Sequence, residues 1–271
     1  MQRILMAICL LVFGVLAFAQ SKSTNMDVQS AQFKEGKDYI VLPESYSQDV
    51  TAQASLQSHP ENNVEVLAFF NYGCPVCYRM EPAIEEWHRQ QEQIQIVSFV
   101  DVPVDWNHQG WENLARAYFI AEALDVTDTA HPRLFRAVHQ QGKRFCTKEQ
   151  LEEFFIAETG VSRAQFEETY DSFHVRRRMK QAELMREAYK VRSIPTFIVA
   201  GKYMVDVQTA GSPEQVVEVI NYLVNKESFT EGVEEIRFDE VTEGIDHTQD
   251  DAHQLGDEQK QDTMTPSAAP R

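Results

Sequence analysis

The stretch Phe69-Phe70-Asn71-Tyr72-Gly73-Cys74-Pro75-Val76-Cys77-Tyr78-Arg79-Met80-Glu81-Pro82 constrains the fold more than any other part of this chain. The run leading into it, Val64 to Phe70, is apolar and partly β-branched, the pattern of a central strand buried on both faces. Asn71 and Gly73 end that run as turn residues. Cys74 then falls at a helix N-terminus, and Pro75 fits the first helical position because its missing N–H has no partner to lose. Unpaired backbone N–H groups and the helix dipole place roughly half a positive charge at Cys74, which stabilises a thiolate and lowers the thiol pKa. Cys77, three residues on, shares the helix face and lies within disulfide reach, one turn deeper.

That arrangement gives each thiol a separate task. An exposed low-pKa thiolate attacks or leaves easily, and a sheltered partner resolves the mixed disulfide that forms. The plainer alternatives are a structural disulfide or half of a zinc site. Zinc needs two further Cys or His ligands, and the chain has no second Cys-x-x-Cys, so no metal is expected.

Arg3 precedes an apolar run from Ile4 to Phe18, and Ala17-Phe18-Ala19 supplies the small-x-small pattern of a signal peptidase site. The run is short against the about 20 apolar residues of a membrane span, so residues 1–19 are read as an export leader cleaved after Ala19. Export implies an oxidising compartment, where a Cys-x-x-Cys persists as a disulfide. Cys9 leaves with the leader. Pairing Cys74 with Cys77 then leaves Cys146 over, read as a small buried residue in preference to a partner for an intermolecular bridge.

The formal charge is -17, and residues 231–271 alone hold twelve acidic against three basic side chains. Such acidity argues against nucleic acid and anionic membrane surfaces as partners. That same segment is short of aromatics and reads as a disordered acidic tail.

Taken in order, residues 20–32 form a polar N-terminal arm, and Phe33 to Leu42 a turn leading into a short strand before Pro43. After the cysteine turn, a helix runs on through Ile84 and Trp87, with Pro82 inside it. Ile94 to Val100 is the next strand, and a crossover of this length implies a parallel pair. No strand pattern returns until Thr196. The intervening residues have a helical period: Trp111 to Leu124, Pro132 to Val138, Thr147 to Ala157 with Gly160 as its stop, a capping box at Ser162 and Gln165, and Asp171 to Tyr189. The basic run Arg176 to Lys180 on the last of these is read as a solvated face. Thr196 to Val205 folds into a hairpin at Ala200-Gly201, with Pro195 at its start because proline cannot donate to a ladder. Ser212 caps a final helix whose apolar period fades after Lys226.

A strand, a Cys-Pro-x-Cys at a helix start, a proline eight residues past the first cysteine, a helical insertion and a later Ile194-Pro195-Thr196 before a hairpin resemble the DsbA form of the thioredoxin fold. Phe33-x-x-Gly36-x-x-Tyr39 matches the family's opening strand region as well. The resemblance implies an α/β fold with a mixed central sheet. Residues 33–105 and 171–228 would form the discontinuous thioredoxin-like domain, 106–170 an inserted all-helical subdomain, and 229–271 the tail. It implies a periplasmic thiol:disulfide oxidoreductase that needs no cofactor beyond its redox-active disulfide. Cys74 would form mixed disulfides with folding exported proteins, Cys77 would resolve them, and a membrane redox partner would restore the disulfide. Pro195 resembles the family's cis-proline, and Ile194 would offer backbone groups to an extended client. Pro75 and Val76, between the cysteines, would tune the thiols.

Two positions depart from the family. Val76 stands where the strongest oxidants have histidine, which implies a less stabilised reduced form and a weaker oxidant. Ala68 stands where well-studied members place a buried acid, leaving Glu65 or another group to substitute. Two other readings stay open: a dimeric isomerase or reductase kept reduced by a partner, with residues 20–32 as a dimerisation arm, and a peptide-holding chaperone in which the thiols are incidental.

Overall fold

The computed structural model describes residues 33–46, 63–94, 96–106 and 109–236. The export leader, the N-terminal arm and positions 237–271 of the acidic tail lie outside the described residues. The elements in chain order are β1 (Ile40–Val41), β2 (Val64–Phe70), α1 (Pro75–Ile94), β3 (Val97–Pro103), α2 (Gln109–Ala123), α3 (Thr127–His139), α4 (Lys148–Thr159), α5 (Arg163–Tyr170), α6 (Phe173–Ala188), β4 (Thr196–Val199), β5 (Tyr203–Asp206), α7 (Val207–Ala210) and α8 (Pro213–Ile236).

The five strands lie in the order β1-β5-β4-β2-β3, with β2 and β3 parallel and the other neighbours antiparallel. This is the mixed sheet with a helical insertion that the sequence implied. Its centre is β2, whose side chains alternate between two cores. Val64, Val66 and Ala68 pack with Met80, Ile84 and Trp87 of α1 and with Val216, Val219, Ile220 and Leu223 of α8. Leu67 and Phe69 belong to the core shared with the insertion, which includes Phe119, Leu134, Phe135, Phe155 and Met185.

Local signals hold closely. Thr147 and Ser162 each accept from the N3 backbone N–H and receive the reciprocal Gln side chain, and Gly160 ends α4 with φ 76°. Ala200 and Gly201 both have positive φ, 52° and 63°, at the tip of the hairpin, where Lys202 N–H donates to the Val199 carbonyl at 3.0 Å. Three boundaries differ from the sequence reading. The second parallel strand is Val97–Pro103, three residues later than expected, because all seven residues of β2 find partners, from Val64 opposite Val97 to Phe70 opposite Pro103. Helix α3 begins at Thr127 and carries Pro132 inside it. Burial of Ala130, Leu134, Phe135 and Ala137 outweighs the single backbone bond that Pro132 removes. The helical backbone of α8 continues to Ile236, into the segment read as tail.

Cys146 is a further correction: it is exposed. Its backbone N–H donates to Gln150 Oε1 at 2.7 Å as part of the α4 cap, so its place is fixed by the helix start rather than by the core.

Candidate active site

Strand β2 delivers the chain to the turn through Asn71, which is fully buried. Its Nδ2 donates to the carbonyls of Val104 at 2.6 Å and Trp111 at 3.2 Å. Its Oδ1 accepts from Gly73 N–H at 2.8 Å, and its backbone carbonyl accepts from Cys74 N–H at 3.0 Å. One side chain thus ties the turn to the end of β3 and to α2. Gly73 is required by space: a Cβ there would lie 2.9 Å from Trp111 Nε1. Helix α1 starts at Pro75, as its sequence position dictates.

The two thiols have opposite characters. Cys77 N–H donates to Cys74 Sγ at 3.2 Å. A hydrogen bond from the Cys77 thiol lowers the Cys74 pKa most; burial opposes it, while the backbone N–H groups of Cys77 and Val76 and the charge of Arg79 act with it. The result is about 6 against an ordinary 9.0. Burial first, and then Cys74 itself, hold the Cys77 thiol well above its ordinary value. Val76 acts through its backbone N–H; its side chain packs partly buried against both cores.

Across the turn, the Ile194–Pro195 peptide is cis, and the Cys74 thiol points to the Ile194 carbonyl with Sγ 3.8 Å from that oxygen. Pro195 lines a small cleft with Ala68, Cys77, Glu81, Asp101 and Phe197. The site residues Cys74, Pro75, Val76, Cys77, Ile194 and Pro195 therefore come together at one end of the sheet.

Around them lies a polar network that the sequence reading did not find. His131 of α3 bridges Tyr72 and Glu81, with Nδ1 2.8 Å from the Tyr72 hydroxyl and Nε2 2.8 Å from Glu81 Oε1. Burial pulls the His131 pKa down, but the bond to Glu81 and the charges of Glu81 and Asp101 outweigh it and leave it raised. His139 Nε2 donates to the Tyr72 carbonyl at 2.7 Å, and its ring stacks on Tyr78. Asp101 sits directly opposite Ala68 in the parallel pair. Burial pushes its carboxyl up to about 6, against the opposing charge of His131. Glu65, the substitute considered from sequence, alternates with Ala68 and so points to the other face of β2, where its charge bears on Tyr189. A lone carboxylate in the apolar run Val97 to Val104 was the one sequence signal that marked Asp101. Among the described residues, no group of three or more His, Cys, Asp or Glu side chains could hold a metal ion, and no helix is long and apolar enough to cross a membrane.

Contrary to the exposed thiolate expected from sequence, Cys74 is buried as Cys77 is, because the turn packs under the insertion, and the two differ in pKa rather than in exposure. A low-pKa thiol and a high-pKa thiol one helical turn apart, facing a cis-proline at the end of a mixed sheet, define a thiol:disulfide oxidoreductase of the thioredoxin class. Residues 98–221 match the family model described as DSBA-like thioredoxin domain. The thiol:disulfide interchange protein DsbA of Pseudomonas aeruginosa is 32% identical over 213 residues, covering 77% of this chain and 92% of that protein. The protein of the same name from Azotobacter vinelandii is 33% identical over 197 residues, covering 73% and 86%. The crystal structure of Pseudomonas aeruginosa DsbA superposes with a TM-score of 0.64 at 30% identity, covering 74% of this chain and 97% of that one. The chain belongs to the DsbA-like family of thiol:disulfide oxidoreductases, whose redox group is a protein disulfide rather than an external cofactor.

Proposed function

We propose that the Cys74–Cys77 disulfide is donated to folding exported proteins in the periplasm through a mixed disulfide on Cys74, and that a membrane redox partner restores it. The observation that carries this reading is the split between the two thiols, one near 6 and the other held protonated by burial. A client thiolate attacks Cys74 Sγ, the Cys74–Cys77 bond breaks, and Cys77 leaves and takes up a proton. A second client thiolate then attacks the client sulfur of the mixed disulfide and expels Cys74 as a stable thiolate. The client is oxidised by two electrons and the two cysteines are reduced. Ile194 and Pro195, beside Cys74, receive the client backbone. Pro75 sets the helix start and Val76 supplies an N–H to the thiolate.

The test is disulfide transfer from the oxidised full chain to a reduced two-cysteine peptide. Cys74→Ser abolishes transfer; a variant that still oxidises the peptide would sink the assignment. Equilibrium with a graded glutathione buffer, in a Cys146→Ser background, checks the direction. A thiol near 6 lies between those of thioredoxin, about 7, and DsbA, about 3.5. The potential is therefore expected between roughly -270 and -120 mV, the values of those two proteins, and a value at or below thioredoxin's would remove the donor reading.

A further inference from the structure

We propose that His131 is a positioning residue for the thiol exchange: from the insertion it clamps the cysteine turn on both sides, holding Tyr72 ahead of Cys74 and Glu81 behind Cys77, and so keeps the helix N–H groups aimed at the Cys74 sulfur. The inference rests on the reading of Cys74 as the sulfur that is attacked and released. Support for its thiolate is geometric, since Cys77 N–H reaches Sγ at 3.2 Å and the Val76 N–H acts with it. Hydrogen bonds weaken steeply as their angles close, so a turn that shifts against its helix loses them. The first turns of α1 carry both cysteines, and Pro82 leaves them tied to the rest of the helix by one backbone bond fewer, because it has no N–H for the Tyr78 carbonyl. Outside contacts therefore weigh more in fixing where the cysteines sit.

Helix α3 supplies those contacts. Tyr72 is fully buried, and both of its polar atoms turn to α3: its hydroxyl lies 2.8 Å from His131 Nδ1, and its carbonyl accepts from His139 Nε2 at 2.7 Å. On the far side of the cysteines, the His139 ring stacks on Tyr78, Gln140 Nε2 donates to the Tyr78 hydroxyl at 2.5 Å, and His131 Nε2 donates to Glu81 Oε1 at 2.8 Å. His131 thus spans the turn with a hydrogen bond at each ring nitrogen. A carboxylate only accepts, so Nε2 carries a proton whatever the charge of the ring. Nδ1 accepts the Tyr72 proton when the ring is neutral and donates to the Tyr72 oxygen when it is charged, so the clamp persists in both states. The His131 side chain is 12% exposed, and the rings of Phe70, Tyr72, Tyr118 and Phe135 enclose it at centroid distances of 5.2–6.0 Å. In such surroundings a polar group left without its partner is costly, which holds Tyr72 and Glu81 to the ring.

The test uses the full chain in a Cys146→Ser background. The rate of alkylation of the reduced protein by iodoacetamide, followed against pH, reads the Cys74 titration, and equilibrium with a graded glutathione buffer reads the potential. His131→Phe keeps a ring in the aromatic surroundings and removes both bonds. It should move the alkylation midpoint upward from about 6 toward the ordinary 9.0, and shift the glutathione equilibrium several-fold toward the oxidised protein, because the reduced form loses thiolate stabilisation. His131→Gln, whose amide can donate to Glu81 and accept from Tyr72, should restore most of both. A His131→Phe protein that melts earlier but keeps the parent midpoint and equilibrium would overturn the proposal and make His131 a packing residue. The proposed function would then still stand, provided that Cys74→Ser abolishes transfer; transfer that survives Cys74→Ser would remove that underlying reading instead. Should His131→Phe not fold, Tyr72→Phe decides, since it removes one arm of the clamp and keeps the ring. It should raise the midpoint in the same direction, and an unmoved midpoint would refute the clamp.

Discussion

On the face of the sheet covered by α1 and α8, the core joins Val66, Ala68, Met80, Ile84, Val216, Val219, Ile220 and Leu223. Its polar pairs, Trp87 with Asn221 and Tyr203 with Glu227, include no residue of the cysteine turn. On the other face, the insertion contributes as many apolar side chains but threads polar groups among them. Tyr72 is held by His131 and His139, Asn71 reaches Val104 and Trp111, and Arg178 pairs with Glu122. Both faces bury apolar surface, the main source of stability in either case. Away from the cleft beside Cys77, which Ala68, Met80 and Ile84 also line, they differ in what a substitution should disturb: stability alone on the first face, and the environment of the thiols on the second.

The largest effect should come from breaking the apolar face. Ile220 is fully buried, and Ile220→Ala should cost about 2–5 kcal/mol in denaturant unfolding. Its redox potential should stay put; a potential that moved with it would erase the contrast between the faces.

Next comes Val76→His at the turn. A histidine there can add one charge-assisted hydrogen bond to the thiolate, about 1.5–3 kcal/mol, or about 30–60 mV toward a stronger oxidant. The glutathione equilibrium reads it directly. The same thiolate sets a pH dependence. Because the folded Cys74 pKa, about 6, lies below its ordinary 9.0, its stabilisation of the reduced protein is fully present above about 9 and is lost as pH falls through 6. Thermal midpoints of reduced and oxidised protein between pH 5 and 9 should therefore converge toward the acid end; parallel curves would contradict it.

The smallest effect sharpens the contrast from inside the insertion. Thr147→Ala removes the cap of α4 and should cost about 1 kcal/mol of stability. Since Thr147 bonds only to its own helix start among the hydrogen bonds of the cap, the potential should not move. A shift there would mean that the insertion tunes the thiols by its overall packing rather than through the polar network.

What was legible in the sequence was what the chain settles within a few residues. The strand from Val64 to Phe70, the helix start at Pro75, the caps at Thr147 and Ser162 and the hairpin at Ala200-Gly201 all satisfy their backbone groups locally. Residue type and spacing therefore sufficed for them, and for placing Cys74 and Cys77. The tertiary structure decided what depends on distant partners. The register of β3 came from β2, and with it the placing of Asp101 opposite Ala68. His131, 59 residues beyond Tyr72 and 50 beyond Glu81, meets both only because α3 packs over the turn. Such groups carry no periodic or capping signature. Their protonation follows from burial and neighbouring charge, and those exist only once the elements have come together.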